Sequence, residues 1–205
     1  MRKFIYTSAI TILFVLSSCQ KSQVARKPIS QSSGSFMKES VDRNKKLIAG
    51  EEAEIARVIR QNKKVKFIAS PKGYWYAYAT VNTKDSLTPK KGDVALFDYE
   101  VKDLKGRIIY SKNELGPQTY FVDKQNIMAG LREGIKIMHR KEKINFLFTS
   151  HIAYGYHGDN NKIGTNKPLL CIVTLRDFMS EADYDKKMKA TTNPVSKIQN
   201  DSVTN

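Results

Sequence analysis

The chain is poor in the residues that carry most enzyme chemistry. It has two cysteines in 205 residues, Cys19 and Cys171. Cys19 lies at the end of an apolar leader, so Cys171 is the one thiol left for the rest of the chain, and one thiol cannot make an intrachain disulfide. Cys171 sits in "LLCIVTL", a run of strand-forming residues, and reads as a small buried hydrophobe rather than a nucleophile. The three histidines, His139, His151 and His157, have no metal-ligand spacing and no acidic partners placed to help them. No glycine-rich phosphate loop precedes a helix, and there is no Gly-x-Ser-x-Gly elbow. Hydrolase and metalloenzyme chemistry are therefore disfavoured, and no metal and no cofactor are expected. Acidic residues are scarce as well: 20 against 35 Lys and Arg, for a net charge of +15. The surplus is spread along the chain without a basic block or an Arg-rich helix. It reads as a solvated surface suited to an acidic envelope, and no nucleic-acid partner is expected. There is no internal repeat.

Long hydrophobic runs are also missing, with one exception. Arg2 and Lys3 precede a mostly apolar run from Phe4 to Leu16, which has the length of a signal-peptide core and is too short to span a bilayer. Leu16-Ser17-Ser18-Cys19 comes next and looks like a bacterial lipobox, in which small residues admit a peptidase and the thiol then receives diacylglycerol. The expectation is a signal peptide over 1–18 and lipidation at Cys19, with the mature chain held on a membrane by its acyl chains, each buried CH₂ contributing roughly 0.8 kcal/mol. The protein is then lipid-anchored in the cell envelope and exposed to the periplasm.

The rest of the chain divides by composition. Residues 19–35 are polar and Ser-rich, a flexible tether. Residues 36–62 favour helix, with acids early and bases late in "GEEAEIARVIRQ"; a docking helix and a surface helix are both open readings. Residues 63–178 form the body of the chain. "KVKFIA" and "YWYAYA" flank the turn "SPKG", and their aromatic and β-branched content favours strands. Phe97, Tyr99 and Val101 alternate with Asp98, Glu100 and Lys102, a half-buried strand. Met128, Leu131, Ile135 and Met138 recur at steps of three and four, one face of a short helix. Ile144, Phe146 and Phe148 alternate again, and "PLLCIVTLRDF" supplies a last strand. The tail, 179–205, is polar, lacks a hydrophobic period, and is expected to be disordered. Strands around a single short helix define an α+β domain, a curled antiparallel sheet around that helix, preceded by a helical segment.

The octapeptide "HIAYGYHG", residues 151–158, is too rich in Gly for a helix and too rich in Tyr for an idle loop. Taken in order with "KKGDVALFDY", "IMAGLREGIKIM" and "LLCIVTL", it resembles the FKBP-type peptidyl-prolyl isomerases, whose helix and Ala-Tyr-Gly-x-x-Gly loop have this spacing. The likeness covers about 71–178. With the lipobox, tether and helical lead-in, the chain is most similar to the gliding motility-associated lipoprotein isomerases of Bacteroidota.

The resemblance implies a prolyl isomerase that assists folding of periplasmic or surface proteins, motility components among them, and acts on proline-containing polypeptide clients without a cofactor. It implies that Tyr154 holds a substrate carbonyl through its hydroxyl, that Tyr99 walls the pocket, and that the Met128 N–H meets a second carbonyl. Ile109, Ile127, Leu131, Ile163 and Cys171 stand at apolar pocket positions, Leu131 where a Trp is common and Cys171 where a Phe is usual. Tyr110 departs from the pattern, because the family has Asp there. The charged turn "HRKEK" also lacks the family's Gly. Tyr156 is not a family fixture and reads as exposed. With the pocket so altered, a second reading stands beside the enzyme: an FKBP-fold binding or chaperone module with weak or no catalysis.

Overall fold

A computed structural model describes residues 33–192. The leader and Cys19 lie outside the described residues, as does most of the tether. The elements, in order, are α1 (Ser33–Gln61), β1 (Ile68–Ser70), β2 (Tyr74–Thr80), β3 (Asp93–Lys102), β4 (Ile108–Tyr110), α2 (Lys112–Leu115), β5 (Gln118–Phe121), α3 (Ala129–Ile135), β6 (Lys143–Phe148), a 3₁₀ turn (Ser150–Ile152), β7 (Leu169–Ser180) and α4 (Glu181–Thr192). The architecture is α+β. Contacts divide the chain between Ser40 and Val41; the helix from Val41 onward belongs with the sheet.

The seven strands form one antiparallel sheet in the order β1-β2-β6-β7-β3-β4, with β5 also paired to β3. β4 and β5 share one edge of β3: β4 meets Val101 and Lys102, while β5 meets Val94 to Phe97. That edge therefore opens between them, where α2 intervenes. Alternation explains the long strands. On β7, residues 169, 171, 173 and 175 are buried and their neighbours less so, the period of two that sends successive side chains to opposite faces.

The helix α3 is held against the sheet by what it lacks. A Cβ on Gly130 would stand 2.6 Å from the Phe148 ring, and one on Gly134 would stand 2.9 Å from the Phe146 ring. Those two rings lie on one face of β6 and stack at 5.5 Å, within 9° of parallel. Two glycines four residues apart thus create a smooth helix face for two phenylalanines two residues apart. Leu131, Ile135 and Met138 complete the core with Ile144, Leu169 and Val173. The charged turn after the helix accommodates the missing glycine by placing Lys141 at φ 66°. Glu142 beside it is buried and accepts hydrogen bonds from the Asn82 and His139 N–H groups at 3.1 and 2.9 Å.

Two expectations change. The helical lead-in runs from Ser33, three residues earlier than its polarity implies, and it docks. Ile55 is completely buried. Glu51, 6 % exposed, accepts from the Ser150 backbone N–H at 2.7 Å and from its hydroxyl at 2.6 Å. Within the polar tail, residues 179–192 are structured: β7 continues to Ser180 and α4 comes directly after it. Ser180 and Asp183 cap the start of α4 reciprocally, as expected for a side-chain acceptor at an N-terminus with an acidic group three residues later. The Tyr184 ring meets Phe121 edge-on at 5.8 Å, and Lys124 pairs with Glu181. One aromatic contact and a cap suffice where no hydrophobic period exists.

Candidate functional site

A cleft of about 540 Å³ opens over the edge where β4 and β5 part. Its floor and walls come from β3, from the start of α3 and from the loop after the 3₁₀ turn. Tyr99 and Phe97 project from the same face of β3, rings 5.7 Å apart. Ile127 and Met128 lead into α3, and Leu131 lies one turn further on, 4 % exposed, so that it serves both floor and core. Met128 occupies the N-cap position of α3, where backbone N–H groups have no intrahelical acceptor. Its amide has no backbone acceptor among the described residues.

Tyr154 closes the far side. The turn that carries it is built on Ser150, whose carbonyl accepts from Ala153 and Gly155 at 3.0 and 2.7 Å and whose N–H and hydroxyl donate to Glu51. Gly155 has φ 61°, a left-handed conformation that glycine adopts freely. Burial, reinforced by the neighbouring Tyr99 phenol, holds the Tyr154 hydroxyl well above the ordinary phenol range, and the two hydroxyls are hydrogen-bonding neighbours. Burial raises Tyr99 too. Both rings therefore stay neutral near pH 7, and either hydroxyl can donate a hydrogen bond. Tyr156 points outward, 72 % exposed.

The expected residues thus separate into groups. Tyr99, Ile127, Met128, Leu131 and Tyr154 converge on the cleft. Cys171 is fully buried on β7, opposite Val101 and Phe146. It packs in the core that Tyr99 and Tyr154 lie against, and burial pushes its thiol upward. Ile109 and Ile163 face a neighbouring groove instead. Tyr110 acts as a clasp: its hydroxyl donates to the Asp159 carboxylate, and the Lys162 N–H donates to that same hydroxyl at 3.3 Å.

Asp159 is the residue that motif spacing did not reveal. It also accepts from the Asn161 and Ile163 N–H groups at 2.9 and 2.8 Å. Burial works to raise its carboxyl, but these hydrogen bonds and the Tyr110 hydroxyl outweigh it and hold the group below the ordinary Asp value. Its charge reaches Tyr154. A carboxylate absent from position 110 on β4 therefore stands opposite it on the loop. The only signal in the sequence is "GDNN", in which Asp begins a turn through its own side chain. Gln118, Asn126 and Arg132 add a polar rim to the cleft, with the Gln118 amide donating to the Leu115 carbonyl at 2.7 Å. Among the described residues, no carboxylate, thiol, imidazole or aliphatic hydroxyl lines the cleft, and none form a metal-binding cluster.

Comparison with known proteins places this arrangement. Residues 85–176 match the family of FKBP-type peptidyl-prolyl cis-trans isomerases. Among solved structures, a peptidyl-prolyl cis-trans isomerase from Pseudomonas syringae pv. tomato aligns with a TM-score of 0.54 at 18 % identity, over 66 % of this chain and 96 % of that one. FkpA from Escherichia coli aligns with a TM-score of 0.51 at 20 % identity, over 87 % of this chain and 82 % of that one. The fold is thus FKBP-like. A comparison with curated protein sequences gave no match.

Proposed function

We propose that this protein is a peptidyl-prolyl cis-trans isomerase acting on proline-containing segments of polypeptide clients. The observation that carries the reading is the composition of the cleft: an apolar floor of Phe97, Tyr99, Ile127 and Leu131 with hydrogen-bond donors at its edges, the Arg132 guanidinium among them, and no nucleophile or titrating acid or base. That set suits a reaction in which no bond is made or broken. Resonance keeps the X–Pro amide planar, with a barrier of about 18–20 kcal/mol. Twisting the C–N bond removes the resonance and reduces the dipole of the amide. An apolar cleft therefore favours the twisted state relative to water, and only such preferential binding accelerates the step. In this reading the proline ring sits on Leu131, the Tyr154 hydroxyl turns from Tyr99 to a substrate carbonyl, and the Met128 N–H meets the next one. Tyr110 and Asp159 hold the loop that delivers Tyr154.

A second reading, a binding or chaperone module with little turnover, is favoured by Leu131 and by the buried Cys171, which stand where the family resemblance leads one to expect aromatic rings. A protease-coupled assay on short X–Pro peptides separates the two: acceleration that falls in Tyr154→Phe supports the isomerase, and binding without acceleration supports the module.

The setting proposed is the cell envelope, with Cys19 lipidated, the domain facing the periplasm, and surface or motility proteins as clients. The support is the leader and the lipobox. Replacing Cys19 with Ser is expected to abolish lipid labelling and release the protein from membranes; undiminished labelling contradicts the anchor.

A further inference from the structure

A second concavity, about 870 Å³ and larger than the cleft, lies where α1 meets the β3–β4 turn and the 162–169 loop. Leu47, Ile108 and Ile109 give its floor apolar surface, over the buried Ile163 and Leu169. Ile108 is 57 % exposed. Its rim is basic on balance, five cations (Lys46, Lys105, Arg107, Lys162 and Lys167) against three carboxylates, and of the carboxylates Glu54 pairs with Arg57 at 3.8 Å. Glu51 holds Ser150. Asp103 holds the Lys105 and Arg107 N–H groups at 2.9 Å each and the Arg107 guanidinium at 2.6 Å. Lys162 is paired to Glu114. Three further cations, Lys46, Lys105 and Lys167, stand exposed on three different walls, and their ammonium groups have no ion-pair partner among the described residues.

We propose that this groove binds an acidic, apolar-rich segment of another polypeptide, and so holds a client beside the prolyl cleft. Charge complementarity selects the occupant. Three unpaired ammonium groups around an apolar floor attract carboxylates that flank apolar side chains, and repel a basic chain. The protein's own flanks do not fit. Residues 20–35 contain Lys21, Arg26 and Lys27 and no acidic residue, and residues 193–205 balance Lys197 with Asp201. A second copy fits poorly, since each carries +15. The loop that walls the groove with Ile163 and Asn166 carries Tyr154 at its other end, and the Asn166 N–H donates to the Gly155 carbonyl at 2.9 Å. Groove and cleft thus open on two sides of one loop. The docked helix α1 acquires a role, because without it the groove has no outer wall.

The client identity rests on the reading of the protein as a binder of polypeptides, but the test reads binding at the groove rather than turnover. Fluorescence anisotropy is measured on the full chain with a labelled proline-free peptide alternating Glu and Leu, beside matched peptides carrying Gln or Lys in place of Glu. We expect the Glu peptide to bind, the Lys peptide not to bind, and affinity to fall with added salt. Lys46→Glu combined with Lys105→Glu and Lys167→Glu is expected to lose roughly tenfold or more in affinity, three rim charges each contributing modestly. Ile108→Ser is expected to weaken binding at an unchanged melting temperature. Tyr154→Phe is expected to leave this binding intact while reducing turnover of short X–Pro peptides. Equal affinity for the Glu and Gln peptides, or for the wild type and the triple variant, overturns the proposal. Loss of binding in Tyr154→Phe places the peptide in the cleft and also overturns it. Self-association abolished by the triple variant assigns the groove to a second copy, with the same consequence.

Discussion

Tyr154 is where burial, hydrogen bonding and the proposed chemistry meet. Its hydroxyl is one neutral donor, and one neutral hydrogen bond is worth about 0.5–1.5 kcal/mol, which corresponds to a several-fold rate change at about 1.36 kcal/mol per decade. Tyr154→Phe is therefore expected to lower kcat/KM several-fold at an unchanged fold, as read by peptide turnover and near-UV circular dichroism. The Tyr110–Asp159 clasp makes a sharper prediction. Tyr110→Asp alone sets two carboxylates against each other and should loosen the loop and lower turnover, whereas Tyr110→Asp with Asp159→Tyr restores a carboxylate–phenol pair and should recover much of the loss. No recovery in the double variant contradicts a clasp. The pH dependence comes from the same groups. The Asp159 carboxyl is depressed in the folded state, so its contribution is present above the ordinary Asp value of about 3.9 and is lost as pH falls through its lower folded value. The Tyr154 and Tyr99 phenols are raised, so their contribution is complete below about pH 10 and fades only above it. A flat profile of peptide turnover between about pH 6 and 9 is expected, and a bell centred near neutrality contradicts a cleft without a titrating acid or base.

Among the elements, α3 and α1 set the site. α3 approaches the sheet only because Gly130 and Gly134 leave room for Phe148 and Phe146. Gly130→Ala forces overpacking worth about 1–3 kcal/mol, offset in part by the roughly 1 kcal/mol that Ala gains over Gly in a helix. A net loss in urea denaturation is expected, together with weaker turnover, since the helix start carries Ile127 and Met128. α1 contributes through Ile55 and Glu51. Glu51→Ala leaves the buried Ser150 N–H and hydroxyl unpaired, a penalty of about 1–3 kcal/mol, and Ser150 is the base of the turn bearing Tyr154. Glu51→Gln keeps one acceptor oxygen and should cost less. Equal stability of Glu51→Ala and the wild type contradicts the docking. A fragment beginning at residue 63 should likewise melt below one beginning at 41, because it uncovers the surface beneath Ile55.

At the scale of the whole molecule, the legible parts were those with a period or a spacing. The alternation of Phe97, Tyr99 and Val101, the step of Leu131, Ile135 and Met138, and the order of the four motifs led to the α+β fold and to the residues that meet in the cleft. Long-range pairings left no local trace. Glu51 and Ser150 are 99 positions apart and Tyr110 and Asp159 are 49 apart, so neither the docking of α1 nor the clasp was visible. Position in an aligned motif also did not equal exposure to the cleft: Ile109 and Ile163 line the neighbouring groove, and Cys171 is fully buried on β7. α4 was missed because a cap and one aromatic contact order it without an apolar stripe.

The most direct test of the central proposal is the protease-coupled isomerisation rate of a short X–Pro peptide in the presence of the full chain. We expect acceleration over the uncatalysed rate that falls several-fold in Tyr154→Phe, falls further with Leu131→Ala added, and is unchanged by the Lys46→Glu, Lys105→Glu, Lys167→Glu triple variant. Full activity in Tyr154→Phe combined with Leu131→Ala, or no acceleration by the folded wild-type protein, contradicts it.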